Sequence, residues 1–199
     1  MDRYILILTD TFEEVEALTQ VDYLRRADIK VDMISITGKL QVTSNRGITV
    51  LADDLIENIN LKEYGQHVPT GGCANRTHRQ DKLRDRVDDA IIKKFDEEHK
   101  LISAICAGPS VLAKADVLSG RNAVIYPGME DELLDANVKE DAICVDDNII
   151  TARGAGLAGE LAYTLIRKIK GKVQEKQVRF MSVDYLLRDF ILKEEKNGK

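Results

Sequence analysis

Residues Tyr4 to Leu8 (YILIL) form an unbroken apolar run. A strand without polar alternation must be covered on both faces, which places it in a parallel sheet between two helix layers. Thr11 and Glu14 have the spacing of a capping box, and Val15, Leu18, Val21 and Leu24 follow at helical intervals to about Arg26. Lys30 to Ile36 (KVDMISI) is alternating and β-branched, and the helix before it makes the first unit βαβ. The 199 residues, 44% hydrophobic and 32% charged, are enough for one compact α/β domain spanning 1–199.

The same reading places a short strand at Gly47 to Leu51 and a charged helix at Asp81 to Glu98, with Leu83, Val87, Ile91 and Phe95 four residues apart. A strand at Leu101 to Ile105 follows. Ala142 to Val145 and Ile149 to Ala152 flank Asp146, Asp147 and Asn148, the punctuation of a tight hairpin. Leu157 to Ile169 is a helix closed by Gly171, and Val173 to Leu192 reads as a helical tail. By spacing, Tyr64 to Asp81 (YGQHVPTGGCANRTHRQD) should hold the central strand, yet it is polar and glycine-rich and supplies no apolar run.

Formal net charge is −5 with acids and bases interspersed, so no basic stripe tracks a phosphate backbone and nucleic acid is not the expected partner. The first apolar run is short and is followed at once by Asp10, Glu13 and Glu14, unlike a secretory signal. No stretch approaches the roughly 18 apolar residues of a membrane span, so the expectation is a cytoplasmic protein without a membrane partner. Cysteines 73, 106 and 144 are odd in number and widely spaced, which argues against a disulfide framework and against a zinc cage. His67, Cys73 and His78 match no established ligand spacing, and no metal or cofactor is expected.

Chemistry concentrates in LISAICAGPS, 101–110. An apolar strand ends in Cys106, and Ala107, Gly108 and Pro109 turn the chain into a helix, as a crowded strand-to-helix elbow requires. A sulfur there faces unpaired N–H groups at the helix start, which favours thiolate, the reactive form. An arbitrary free cysteine is more often a buried packing residue. That reading is kept for Cys144, inside an apolar strand, and reversed for Cys106. In an open parallel sheet ligands bind beyond the carboxyl ends of the strands, so the acids that follow strand one can face the same crevice. Glu13 and Glu14 read as a solvated helix start and Glu16 as the functional acid.

These residues resemble the ThiJ/PfpI superfamily, in particular the branch of the parkinsonism-associated protein deglycase. The resemblance rests on FEEVEALTQVDYLRRADIKV at 12–31, SNRG at 44–47, AICAGPS at 104–110 and TARGAG at 151–156. It implies a flavodoxin-like three-layer sandwich with a mostly parallel sheet, usually a homodimer. Cys106 would be the nucleophile and Glu16 a protonated carboxyl that hydrogen-bonds the thiolate. The N–H groups of Gly72 and Ala107 would form an oxyanion hole, and Arg153 with Arg46 of a second subunit would line an anion-binding mouth. Two departures stand out: Tyr126 (AVIYPG, 123–128) occupies the place of a histidine found in many relatives, and YGQHVPTGG replaces an apolar strand leading to a Pro-Gly-Gly turn. Tyr126 is then a pocket wall or a packing residue.

The implied activity is cysteine-dependent detoxification or repair of reactive carbonyls, of glyoxalase or protein-deglycase type, in a stress response. Its partners would be small carbonyl compounds or glycated protein. The alternative is a non-catalytic oxidative-stress sensor or holdase chaperone acting through oxidation of Cys106. A cysteine peptidase or amidase ranks last, because relatives of that kind carry a histidine where this chain has Ala107.

Overall fold

The computed structural model describes residues 3–64, 67–70 and 89–187 together with Ile191, with residues 67–70 and 90 described in their backbone alone. The first unit is β1 (Arg3–Leu8), α1 (Glu14–Arg26) and β2 (Lys30–Ser35). It is followed by β3 (Gln41–Thr43), β4 (Thr49–Leu51), β5 (Asp54–Leu55) and β6 (His67–Thr70). Then come α2 (Asp89–Glu97), β7 (Leu101–Ile105), α3 (Pro109–Lys114), β8 (Asn122–Ala123) and β9 (Asn137–Val138). The chain continues through the hairpin of β10 (Ile143–Asp146) and β11 (Ile149–Ala152), then α4 (Ala158–Lys170) and α5 (Lys172–Met181).

Seven strands form one sheet in the order β10-β11-β7-β6-β1-β2-β5. All its pairings are parallel except that of β10 with β11. This is an α/β sandwich, and strand alternation sorts its core into two layers. Tyr4, Leu6 and Leu8 of β1 pack with Val21 and Leu24 of α1 and Leu161 of α4. Ile5 and Ile7 pack on the opposite face with Ile92 and Phe95 of α2 and Leu112 of α3. The unbroken apolar character of β1 is thus the consequence of two covered faces.

Four expectations change. Thr11 does not cap α1: it lies at φ +69 and its N–H is bound to the Thr43 carbonyl at 2.7 Å. Glu13, in extended conformation, is the cap, its carboxylate accepting from the Glu16 N–H at 2.7 Å. Val15 is 49% exposed, because the inward face of α1 begins with Glu14, Glu16 and Ala17 rather than with its valine. The short strand at 47–51 is the second arm of an antiparallel β3–β4 hairpin that stands apart from the main sheet. The tail is not one helix: α5 ends at Met181 with Ser182 as its cap, and Val183 at φ +60 breaks the backbone spiral before 185–187.

The central strand does lie where spacing required it. β6 pairs with β1 at Tyr4 and with β7 from Leu101 to Ala104. Its neighbours supply the register that its own composition does not announce. Residues 81–88 of the expected helix lie outside the described residues. At the amino ends of the strands, Arg121 is bidentate to Asp96 (2.9 and 3.0 Å), and Asn148 donates to Asp96 and to the Lys100 carbonyl at 2.9 Å. This cluster joins α2, the loop before β8 and the β10–β11 turn.

Glu13→Ala is expected to lower unfolding free energy by about 1 kcal/mol, the usual cost of an N-cap. Thr11→Ala should cost less than half as much, and urea denaturation of both variants locates the cap. Burial, reinforced by Asp32, pushes the Tyr64 hydroxyl up to about 12. Between pH 10 and 12 the unfolded chain therefore ionises a tyrosine that the folded chain keeps protonated, and stability falls as pH rises through that window. Alkaline urea midpoints should fall less steeply in Tyr64→Phe.

Candidate active site

β1 leads to β2 on one side, while β6, β7 and β11 extend the sheet on the other, so the winding reverses between β1 and β6. Such a reversal opens a crevice at the carboxyl edge of the sheet. The turn after β1 carries the acids of α1, and the turn after β7 carries Cys106.

Cys106 is partly exposed, whereas every other residue of Leu101–Ser110 is buried. It lies at φ +62, a left-handed conformation that a side chain beyond glycine adopts only under constraint. Both of its backbone polar groups are tied down. Its N–H donates to the Ala152 carbonyl at 2.9 Å, and its carbonyl accepts from the Tyr126 N–H at 3.0 Å. The elbow closes with Gly108 N–H on the Ile105 carbonyl (2.9 Å) and with the Ser110 hydroxyl on the Ala107 carbonyl (2.8 Å). Gly108 itself is helical at φ −52, so the unusual backbone angle falls on the cysteine rather than on the glycine. Since α3 has only six residues, local N–H groups rather than a long macrodipole set the field at the sulfur.

Glu16 is 1% exposed and Glu14 8%. The solvated-start reading therefore fails for Glu14, whose carboxylate accepts from the Ser44 hydroxyl at 2.9 Å. Glu13 is partly buried and serves as the cap. Ser44 belongs to the SNRG turn, which is braced on the β1–α1 loop by the Asn45 N–H on the Phe12 carbonyl (2.9 Å) and by the Thr43 N–H on Asp10 (3.2 Å). Arg46 projects from this turn, exposed, with no ion pair or hydrogen bond from its side chain among the described residues. The hairpin thus buttresses the start of the helix that carries Glu16.

Tyr126, whose N–H binds the Cys106 carbonyl, and Arg153, which follows the Ala152 acceptor of the Cys106 N–H, both adjoin the elbow. One edge of the Tyr126 ring lies 3.5 Å from where a Cβ on Gly154 would stand, so the ring packs against that glycine. Arg153 follows the strand end that holds the Cys106 N–H. Its guanidinium reaches Glu130 at 3.3 Å and the Glu140 carbonyl at 3.1 Å. Glu130 was not evident in the sequence, because nothing local marks it as a partner for an arginine 23 positions away. Ala107 is buried on the α3 side, whereas Gly72, Cys73 and His78 lie outside the described residues. His67 opens β6, a strand residue rather than part of a loop.

Cys144 stands on β10 and is partly exposed, not the buried packing residue expected, because β10 is the edge strand of the sheet. Partial burial, followed by the charges of Asp146 and Asp141, still pushes its thiol up. Peptide mapping after brief alkylation at pH 7 should find Cys106 modified and Cys144 largely spared. Faster labelling of Cys144 would contradict this environment.

The arrangement defines a class: an α/β protein that presents one partly exposed cysteine on a strand-to-helix elbow, at the carboxyl edge of a parallel sheet and near a buried acid-bearing helix start. The sequence model of the DJ-1/PfpI family matches residues 2–168, and the chain belongs to that family. It is 31% identical to protein dj-1beta of Drosophila melanogaster over 87% of this chain and 92% of that protein. It is also 31% identical to a deglycase of Pyrococcus abyssi, covering 77% of this chain and 91% of the relative. The solved structure of oxidized Toxoplasma gondii DJ-1 superposes with a TM-score of 0.83 at 30% identity, covering 92% of this chain and 98% of that one.

Proposed function

We propose that the protein consumes small reactive carbonyls such as glyoxals, or the early adducts they form with proteins, through Cys106. The observation that carries this reading is the partial exposure of Cys106 in an otherwise buried elbow, with both backbone groups fixed. The thiolate adds to the aldehyde carbon, a C–S bond forms, and the carbonyl π pair moves to oxygen. The resulting oxyanion is stabilised by N–H groups of the elbow, Ala107 among them, with Gly72 as the second donor.

Glu16 then moves a proton from the former aldehyde carbon to the neighbouring carbon, converting the hemithioacetal into a hydroxyacyl thioester. A carboxyl buried as deeply as Glu16 is held neutral at less cost than charged, which suits it to donate toward the sulfur and to shuttle a proton. Water cleaves the thioester, releasing a hydroxy acid and restoring the thiol. No external oxidant or reductant enters, since one carbon is oxidised as its neighbour is reduced. Tyr126 and Arg153 form the rim, with Arg153 steered by Glu130. The protein acts as a homodimer in this reading, Arg46 of a second copy completing the mouth. The exposed Ile48 and Leu51 of the hairpin support that contact.

A second reading, an oxidative-stress sensor or holdase in which Cys106 is oxidised without turnover, uses the same partly exposed cysteine and is supported by the oxidized state of the Toxoplasma relative. One set of measurements separates the two. Purified protein should consume methylglyoxal catalytically, Cys106→Ser should lose that activity, and Glu16→Gln should lower kcat by about 10²-fold or more. A rate no greater than that of an equimolar free thiol, together with a gain of two oxygens on Cys106 at low peroxide, would favour the sensor and refute the enzyme.

A further inference from the structure

The family match ends at residue 168, and the chain that follows builds a surface the carbonyl chemistry does not use. Residues 167–181 hold six cations and one acid, in a chain whose formal net charge is −5. The one acid, Glu175, is 8% exposed and already engaged by Arg179 at 3.1 Å and Arg167 at 3.5 Å. Lys168, Lys170, Lys172 and Lys176 are exposed and have no ion pair among the described residues.

The same segment exposes large apolar side chains. α5 turns Val178 into the core and presses Arg179 onto the Tyr163 ring at 3.8 Å, which fixes the opposite face outward. That outer face carries Val173, 72% exposed, and Phe180, 69% exposed. Seven residues apart, they lie above one another on the helix, with Lys172 and Lys176 on the adjoining stripe. The Phe180 ring stacks on Tyr185 at 5.5 Å and 10°, and Leu186 and Leu187 are half exposed beyond it.

Arg179 makes this presentation rigid. It is bidentate to Glu160 of α4 (2.8 and 2.6 Å) and also bonds Asp184 at 2.6 Å, while the Tyr163 hydroxyl pairs with Ser182 at 2.6 Å. The apolar stripe is therefore held outward by a clamp beneath it.

We propose that α5 and the turn after it form a peripheral docking face for an anionic lipid bilayer. Lysines on flexible stems suit headgroup phosphates, and an aliphatic and aromatic stripe beside them suits the boundary with the acyl chains. A second copy is disfavoured as occupant, because two such faces would bring like charges together. Among the described residues no helix is long and apolar enough to cross a membrane. A surface attachment does not require a span.

The test is co-sedimentation of the full chain with vesicles of phosphatidylcholine alone and of phosphatidylcholine with phosphatidylserine. Binding to the anionic vesicles only, weakened by high salt, is the expected result. Lys172→Glu with Lys176→Glu should reduce partitioning by at least about 10-fold, and Val173→Ser with Phe180→Ser should also reduce it. Circular dichroism and the alkylation rate of Cys106 should stay unchanged in both double variants. Absence of binding by the unmodified chain overturns the proposal, as does binding that survives both double variants. Lipid-independent self-association that Phe180→Ser abolishes, without vesicle binding, assigns the face to a second copy and also overturns it. Cys106→Ser should bind vesicles normally, so this inference and the carbonyl reading stand or fall separately.

Discussion

A left-handed residue that is not glycine costs about 1–2 kcal/mol, and at Cys106 that cost falls on the side chain with the most chemistry. Two backbone hydrogen bonds hold it, one to the end of β11 and one from the strap that carries Tyr126, each contributing about 1 kcal/mol. The sulfur is oriented by the edge of the sheet rather than by its own helix. β7 and β11 must be in parallel register, Ala152 beside Ile105, for the acceptor to stand where the Cys106 N–H needs it. The parallel sheet and the partly exposed cysteine are thus one construction.

The acid side of the crevice depends on a different device. Glu14 and Glu16 occupy inward positions of α1 that an amphipathic helix would normally give to apolar residues, while Val15 faces out. The β3–β4 hairpin makes this tolerable: Ser44 satisfies one Glu14 oxygen, and Asn45 and Thr43 bind the loop ahead of the helix. A strand pair outside the main sheet therefore contributes to the site without entering it. Polar groups buried near a crevice are a common sign of function over stability, since each must find a partner or lose free energy.

The far end of the chain shows the opposite balance. Arg179 spends its guanidinium on Glu160, Glu175 and Asp184 over the Tyr163 ring, and Tyr163 in turn meets Tyr23 of α1 at 5.1 Å. Burial carries the Tyr163 hydroxyl well above its ordinary value. The outer layer is thus locked from α1 through α4 to α5, leaving the apolar stripe of α5 as surface.

Much of this was legible in residue order. The runs at 4–8 and 101–105, the hairpin punctuation at 146–148 and the proline at 109 each act locally, through covering, turn chemistry or a fixed φ, and a local cause leaves a local mark. Cys106 could be singled out for the same reason, because a small-residue elbow after an apolar strand has few other uses. The removal of Thr11 from the cap of α1, the fate of Glu14, the pairing of Arg153 with Glu130 and the register of β6 were decided only in three dimensions. Those outcomes rest on partners 20 to 40 positions away or on neighbouring strands, whose nearness is created by the sheet and cannot be read from either partner alone.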